Sequence, residues 1–149
     1  MNRTFNTIAL LSLTALLSMT TTACGALAEG RDFVGFWAGN AEYSAADKTY
    51  EVKHAVVEIS DGEEGLIVTF ENMLGDGLIC SVPAKIDGDS IEIDDEFCFS
   101  GSDGLSLVID GDGDLQKDGS ALDIKLSFEL IEGGNTAVVG DAVFDLELM

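Results

Sequence analysis

Asp110-Gly111-Asp112-Gly113-Asp114, followed by Asp118, is the stretch whose residue types and spacing could do chemistry. Carboxylates at these positions match places 1, 3, 5 and 9 of a helix-flanked Ca²⁺ loop, whose hard cation needs six or more oxygens. The match then ends. Leu115 stands where such a loop requires Gly, and Ala121 where it requires the bidentate Glu. Loose Ca²⁺ binding by Asp110, Asp112, Asp114 and Asp118 is the metal chemistry open to the stretch; turn chemistry on an acidic surface is the plainer reading. Asp94-Asp95-Glu96 reads as a solvated run. No other cofactor is expected.

The remaining reactive residue types are few. His54 is the only histidine. One chain therefore cannot assemble a His-based triad or a zinc cluster, and an exposed strand-face histidine is the expectation. There is no Gly-x-Ser-x-Gly and no phosphate-cradling loop before a helix. With no convergent nucleophile and base, the chain is not expected to be an enzyme. Three cysteines, Cys24, Cys80 and Cys98, include no Cys-x-x-Cys, so redox catalysis is not expected.

Cys24 belongs to the leader. Residues 1–28 carry one charge, Arg3, and an apolar run from Ile8 to Met19 too short to span a bilayer. Two processing readings stand side by side. Ala26-Leu27-Ala28 fits signal-peptidase cleavage before Glu29, giving a signal peptide 1–28 and a mature domain 29–149. Thr21-Thr22-Ala23-Cys24-Gly25 resembles a bacterial lipobox, which would remove 1–23 and lipidate Cys24, although Thr21 departs from that pattern. Either way the protein is expected in the periplasm, on the cell surface or in the medium. Membrane attachment would come only through the lipid anchor of an outer-membrane lipoprotein.

An oxidising compartment makes a Cys80–Cys98 disulfide the expected pairing. The two cysteines sit near the open end of a hairpin whose turn is Asp87-Gly88-Asp89-Ser90. Simple register from that turn puts Cys98 opposite Ile79, one residue from Cys80. Ile91, Ile93, Phe97 and Phe99 also share a parity that Cys98 does not. A bulge within Asp94-Asp95-Glu96 is needed to aim Cys98 at Cys80.

The hairpin is one unit of a longer rhythm. Phe36–Tyr43, Thr49–Ser60, Leu66–Phe70, Leu105–Asp110, Leu122–Leu130 and Thr136–Leu148 alternate apolar with polar residues and are separated by Gly- and Asp-rich turns. Gly111 and Gly113 are expected to weaken their strand, and Pro83 to mark an edge or a bulge. No stretch shows a helical period. About eight such strands mean a single antiparallel barrel or a β-sandwich. Apolar content of 46% in alternating runs excludes a disordered acidic chain.

The formal charge is −21, from 28 acidic against seven basic residues, and loss of the leader makes it one more negative. Binding to nucleic acid or to anionic membranes needs clustered Lys and Arg and is not expected. High solubility, cation association and adaptation to salt are the properties such a balance favours.

Gly35-Phe36-Trp37 opening the first strand resembles the Gly-x-Trp start of lipocalin-like (calycin-type) barrels. The rhythm of Ala84–Ile93, Ile109–Gly113 and Ser120–Ile124 is similar to that of small exported bacterial lipocalin-like domains. The resemblance implies an eight-stranded up-and-down barrel, with the sandwich as alternative, and a non-enzymatic role binding a small hydrophobic ligand. Trp37 and Tyr43 would then meet the ligand, or else close the barrel ends and cap the core. It also implies a second role, a periplasmic protein-interaction module such as a protease inhibitor, acting through residues 29–36 or the acidic loops. A third reading is a Ca²⁺-binding or salt-adapted structural envelope protein. A monomer is expected.

Overall fold

The computed structural model describes residues 32–74, 77–99 and 105–149. The leader, Cys24 and both processing sites lie outside them. Eight antiparallel strands follow one another in chain order: β1 (Gly35–Ala45), β2 (Lys48–Gly62), β3 (Gly65–Met73), β4 (Leu78–Asp87), β5 (Ser90–Phe99), β6 (Leu105–Leu115), β7 (Ala121–Glu132) and β8 (Asn135–Leu148). Each pairs with its neighbour, and β8 pairs back to β1 from Trp37–Leu148 to Ala45–Gly140. The up-and-down barrel is therefore closed, and the sandwich alternative falls. No helix among the described residues is long and apolar enough to cross a membrane.

Period-two alternation decides which side chains face inward. Leu122, Ile124, Leu126 and Phe128 of β7 are buried, as are Ala142, Phe144 and Leu146 of β8, while Lys125 and Asp145 between them are exposed. The same holds for Leu66, Val68 and Phe70 of β3. β6 continues through Gly111 and Gly113 to Leu115, beyond the Leu105–Asp110 stretch that alternation marks in the sequence. Both glycines lie on its inward parity. A Cβ at Gly111 would overlap the Lys125 carbonyl, and one at Gly113 would press on Ile91 and Ile124. Their lack of a side chain lets β7 and the isoleucines close in.

The β4–β5 hairpin turns at Gly88 and Asp89, with Asp87 facing Ser90 and Gly88 at φ +62°. Its ladder covers only Asp87–Ser90, Ile86–Ile91 and Lys85–Glu92 among the described residues. Pro83, with no N–H to donate, lies on β4 beyond that ladder. The pairing of β5 with β6 then slips by one residue between Ile93 and Glu96, where Asp95 takes φ +45°. This is the bulge that the cysteine parity required. Before it, Ile91 and Ile93 point inward; after it, Phe97 is 55% exposed and Cys98 is buried.

Cys98 thereby reaches Cys80, and the two form a disulfide with Cα atoms 5.0 Å apart. Across the same seam, on the outside, Lys85 Nζ lies 3.2 Å from Asp94 Oδ2, both side chains well exposed. Such a pair contributes at most about 1 kcal/mol. The disulfide closes a loop with a sequence separation of 18, which stabilises by about 3 kcal/mol. Replacing both cysteines by Ala is expected to lower the unfolding free energy by about that amount. Urea denaturation of the two forms measures it, and equal midpoints would show that the seam closes without the bond.

Candidate functional site

The two aromatic residues singled out for ligand contact lie at opposite ends of the interior. Trp37, on β1 near the end where the chain enters, is fully buried, and its Nε1 donates to the Phe33 carbonyl at 2.8 Å. Phe33, from the short turn before β1, is itself fully buried. Arm and indole together seal that end. Tyr43, six residues along β1, is 1% exposed and stacks on Tyr50 of β2 at 5.2 Å. Phe128 and Phe144 meet its ring edge-on at 6.2 and 5.8 Å, and Phe70 lies 5.1 Å from Phe144. Both residues are thus packed against neighbouring groups of the protein.

Burial pushes the Tyr43 hydroxyl up from 10.0 to about 12, opposed by a hydrogen bond with the Leu74 backbone and helped slightly by Tyr50. Unfolding frees this group to ionise near its ordinary value. Between pH 10 and 12 the unfolded chain therefore holds fewer protons than the folded one, and stability falls as pH rises. Tyr43→Phe keeps the ring and removes the proton. Its guanidinium midpoint is expected to fall less than that of the wild type between pH 9 and 11.5; parallel falls would contradict the assignment.

The acidic motif is spread out rather than gathered. Asp110, Asp112 and Asp114 stand on the outer face of β6, exposed, at strand spacing. Asp114 accepts a hydrogen bond from Ser90 Oγ at 2.6 Å. Asp118 sits in the β6–β7 loop and accepts from Ser120 Oγ at 2.7 Å and Ser120 N at 3.1 Å, which hold its carboxyl below its usual value. No group of three or more His, Cys, Asp or Glu among the described residues is arranged to hold a metal ion. His54 is the exposed extra residue of a second bulge, in β2 opposite Gly39 and Asn40, at φ +61°.

What the outer face does show is like charge set against like charge. Glu92 faces Asp112 across β5 and β6, and Asp114 faces Asp123, which faces Asp145 on β8. Glu42 faces Glu51 across β1 and β2. Directly opposed like charges weaken a sheet, and salt screens them. Asp145→Lys is expected to raise stability by about 0.5 kcal/mol at low ionic strength. Thermal midpoints should show that gain shrinking as NaCl is added, and a loss of stability at low salt would refute the repulsion.

A concavity among the described residues lies elsewhere, on the outside of the end where the chain enters. A cleft of about 740 Å³ is bounded by Asp32 and Val34 of the entering arm, Asp89 of the β4–β5 turn, Leu115 to Gly119, and Leu148 of β8. Backbone bonds fix these pieces together. Leu115 N donates to the Asp89 carbonyl at 2.9 Å, and Leu148 N to the Ser120 carbonyl at 3.1 Å. Within the loop, Gln116 N bonds the Ala121 carbonyl and Gly119 N the Gln116 carbonyl. A second cleft of about 560 Å³ flanks the other side of the same loop, beside Ser120 and Ala121. Sequence reasoning placed acidic loops and the arm among candidate surfaces but not together. The available signal was parity: in an up-and-down barrel, alternate turns return to one end.

No family model matches the chain, and no curated protein matches it. Among solved structures the chain is similar to a protein of unknown function from the DUF3598 family of Nostoc punctiforme, at 15% identity and a TM-score of 0.46. The similarity covers 80% of this chain and 49% of that one, so the chain spans about half that protein's length. The closed eight-stranded antiparallel barrel is the architecture that the lipocalin-like resemblance implied, while membership of that family is not shown.

Proposed function

We propose that the chain is a non-enzymatic, exported β-barrel that works as a protein-interaction module through its arm-bearing end. The observation that carries this reading is the external cleft at that end, bounded by the arm, the β4–β5 turn and the β6–β7 loop. The two residues singled out for ligand contact support it: Trp37 and Tyr43 are buried, Trp37 bonded to the Phe33 carbonyl and Tyr43 packed against Tyr50, Phe128 and Phe144. Small eight-stranded barrels with packed interiors are a known outcome of barrel geometry, and their working surface is then their loops.

Export is supported by the leader and by the buried Cys80–Cys98 disulfide, which suits an oxidising compartment. The non-enzymatic reading is supported by the lone histidine standing on an exposed bulge, away from the cleft. A protease is one partner class compatible with a rigid end of this kind, and a small hydrophobic ligand is the less favoured alternative.

A photo-activated cross-linking side chain placed at Lys117 or at Asn135, on the opposite end, tests the proposal in cells of the native organism. Discrete adducts from Lys117 and none from Asn135 are expected. Adducts from Asn135 alone, or none from either, would overturn the reading.

A further inference from the structure

We propose that the cleft between the arm, the β4–β5 turn and the β6–β7 loop receives an extended segment of a partner protein in which Lys or Arg stands beside a large apolar residue. The inference rests on the interaction-module reading and adds the chemistry of the partner. Two independent features of the cleft carry it. Part of its lining is apolar: Val34 is 36% and Leu148 48% exposed, and half-buried Leu115 packs against the core. Its charged lining is mainly anionic: Asp32, Asp89 and Asp118 come from three separate pieces of chain, against one cation, Lys117. An anionic segment would meet three carboxylates, and a purely apolar one would strip water from them without compensation. A cation flanked by an apolar side chain satisfies both features at once, with its stem along the apolar lining and its head at the carboxylates.

The geometry is set in advance, which lowers the ordering cost of binding. The Leu115–Asp89 and Leu148–Ser120 backbone bonds tie the loop, the turn and the strand end together. Ser120 holds the Asp118 carboxylate in one orientation through its N–H and its hydroxyl. The carboxylate rows on β5 to β8 differ, since they stand on a convex strand face.

The test is a titration of the ¹⁵N-labelled exported protein at low salt with three blocked peptides: acetyl-Leu-Lys-Leu-amide, acetyl-Leu-Glu-Leu-amide and acetyl-Gly-Lys-Gly-amide. Saturable amide shifts at Val34, Asp89, Lys117 and Leu148 are expected with the first peptide alone. Asp32→Asn with Asp89→Asn should weaken that binding about fivefold, while Asp145→Asn leaves it unchanged. These substitutions leave the backbone bonds of the cleft in place, and the unshifted remainder of the spectrum reports the fold. An equal response to Gly-Lys-Gly, shifts spread along the carboxylate rows, or no saturation would overturn the inference. If Lys117 still gives its discrete cross-link in cells while Leu-Lys-Leu does not bind, the partner chemistry is wrong and the interaction reading stands. If both fail, both are wrong.

Discussion

A barrel is closed only if every seam between neighbouring strands holds, and here one seam joins a ladder of only three residue pairs to a disulfide. Ladder pairing between β4 and β5 covers three residue pairs next to the turn. Further up, Pro83 has no N–H to contribute and β5 carries an extra residue at Asp94–Asp95. Cys80–Cys98 joins the strands at that far end, inside the core. The bulge and the disulfide are one device. Without the extra residue Cys98 would point to solvent, and without the bond the bulged strand would have little to keep it beside β4.

Closing the cylinder also determines what the protein has to offer other molecules. Inward-facing side chains from every strand meet in the middle, and the Phe33 arm and the Trp37 indole seal one end. At the other end Tyr43 and Tyr50 stack beneath the β3–β4 loop. The proposed interaction role accordingly rests on loops carried on a rigid scaffold. The surface is strongly acidic and sets carboxylates directly opposite one another, so low ionic strength strains the folded state more than salt does. The arm-bearing end gathers such carboxylates and exposed apolar side chains around a cleft.

The alternation in β3, β7 and β8 was fully legible in the sequence because one face is buried and the period is two. The Asp87–Ser90 turn and the bulge near Asp94–Glu96 were legible too, the second from a conflict: two cysteines that ought to meet and a parity that kept them apart. The packing role of Gly111 and Gly113 was not legible, because a glycine that makes room for Lys125, Ile91 and Ile124 looks the same in sequence as one that only weakens a strand. Phe33 gave no sign of sealing the barrel, since its partner Trp37 belongs to the next element and only packing shows the fit. The cleft was invisible for a related reason. Asp32, Asp89, Asp118 and Leu148 are far apart in sequence, and only closure of the barrel brings their ends together.

Native-state hydrogen exchange on the oxidised protein and on the Cys80→Ala/Cys98→Ala form tests the dependence of closure on that bond most directly. Amides of Leu78–Val82, Ala84 and Ile93–Phe97 should lose protection selectively when the bond is removed, while those of β7 and β8 keep theirs. Uniform loss across all eight strands, or unchanged protection in β4 and β5, would contradict the account of the seam.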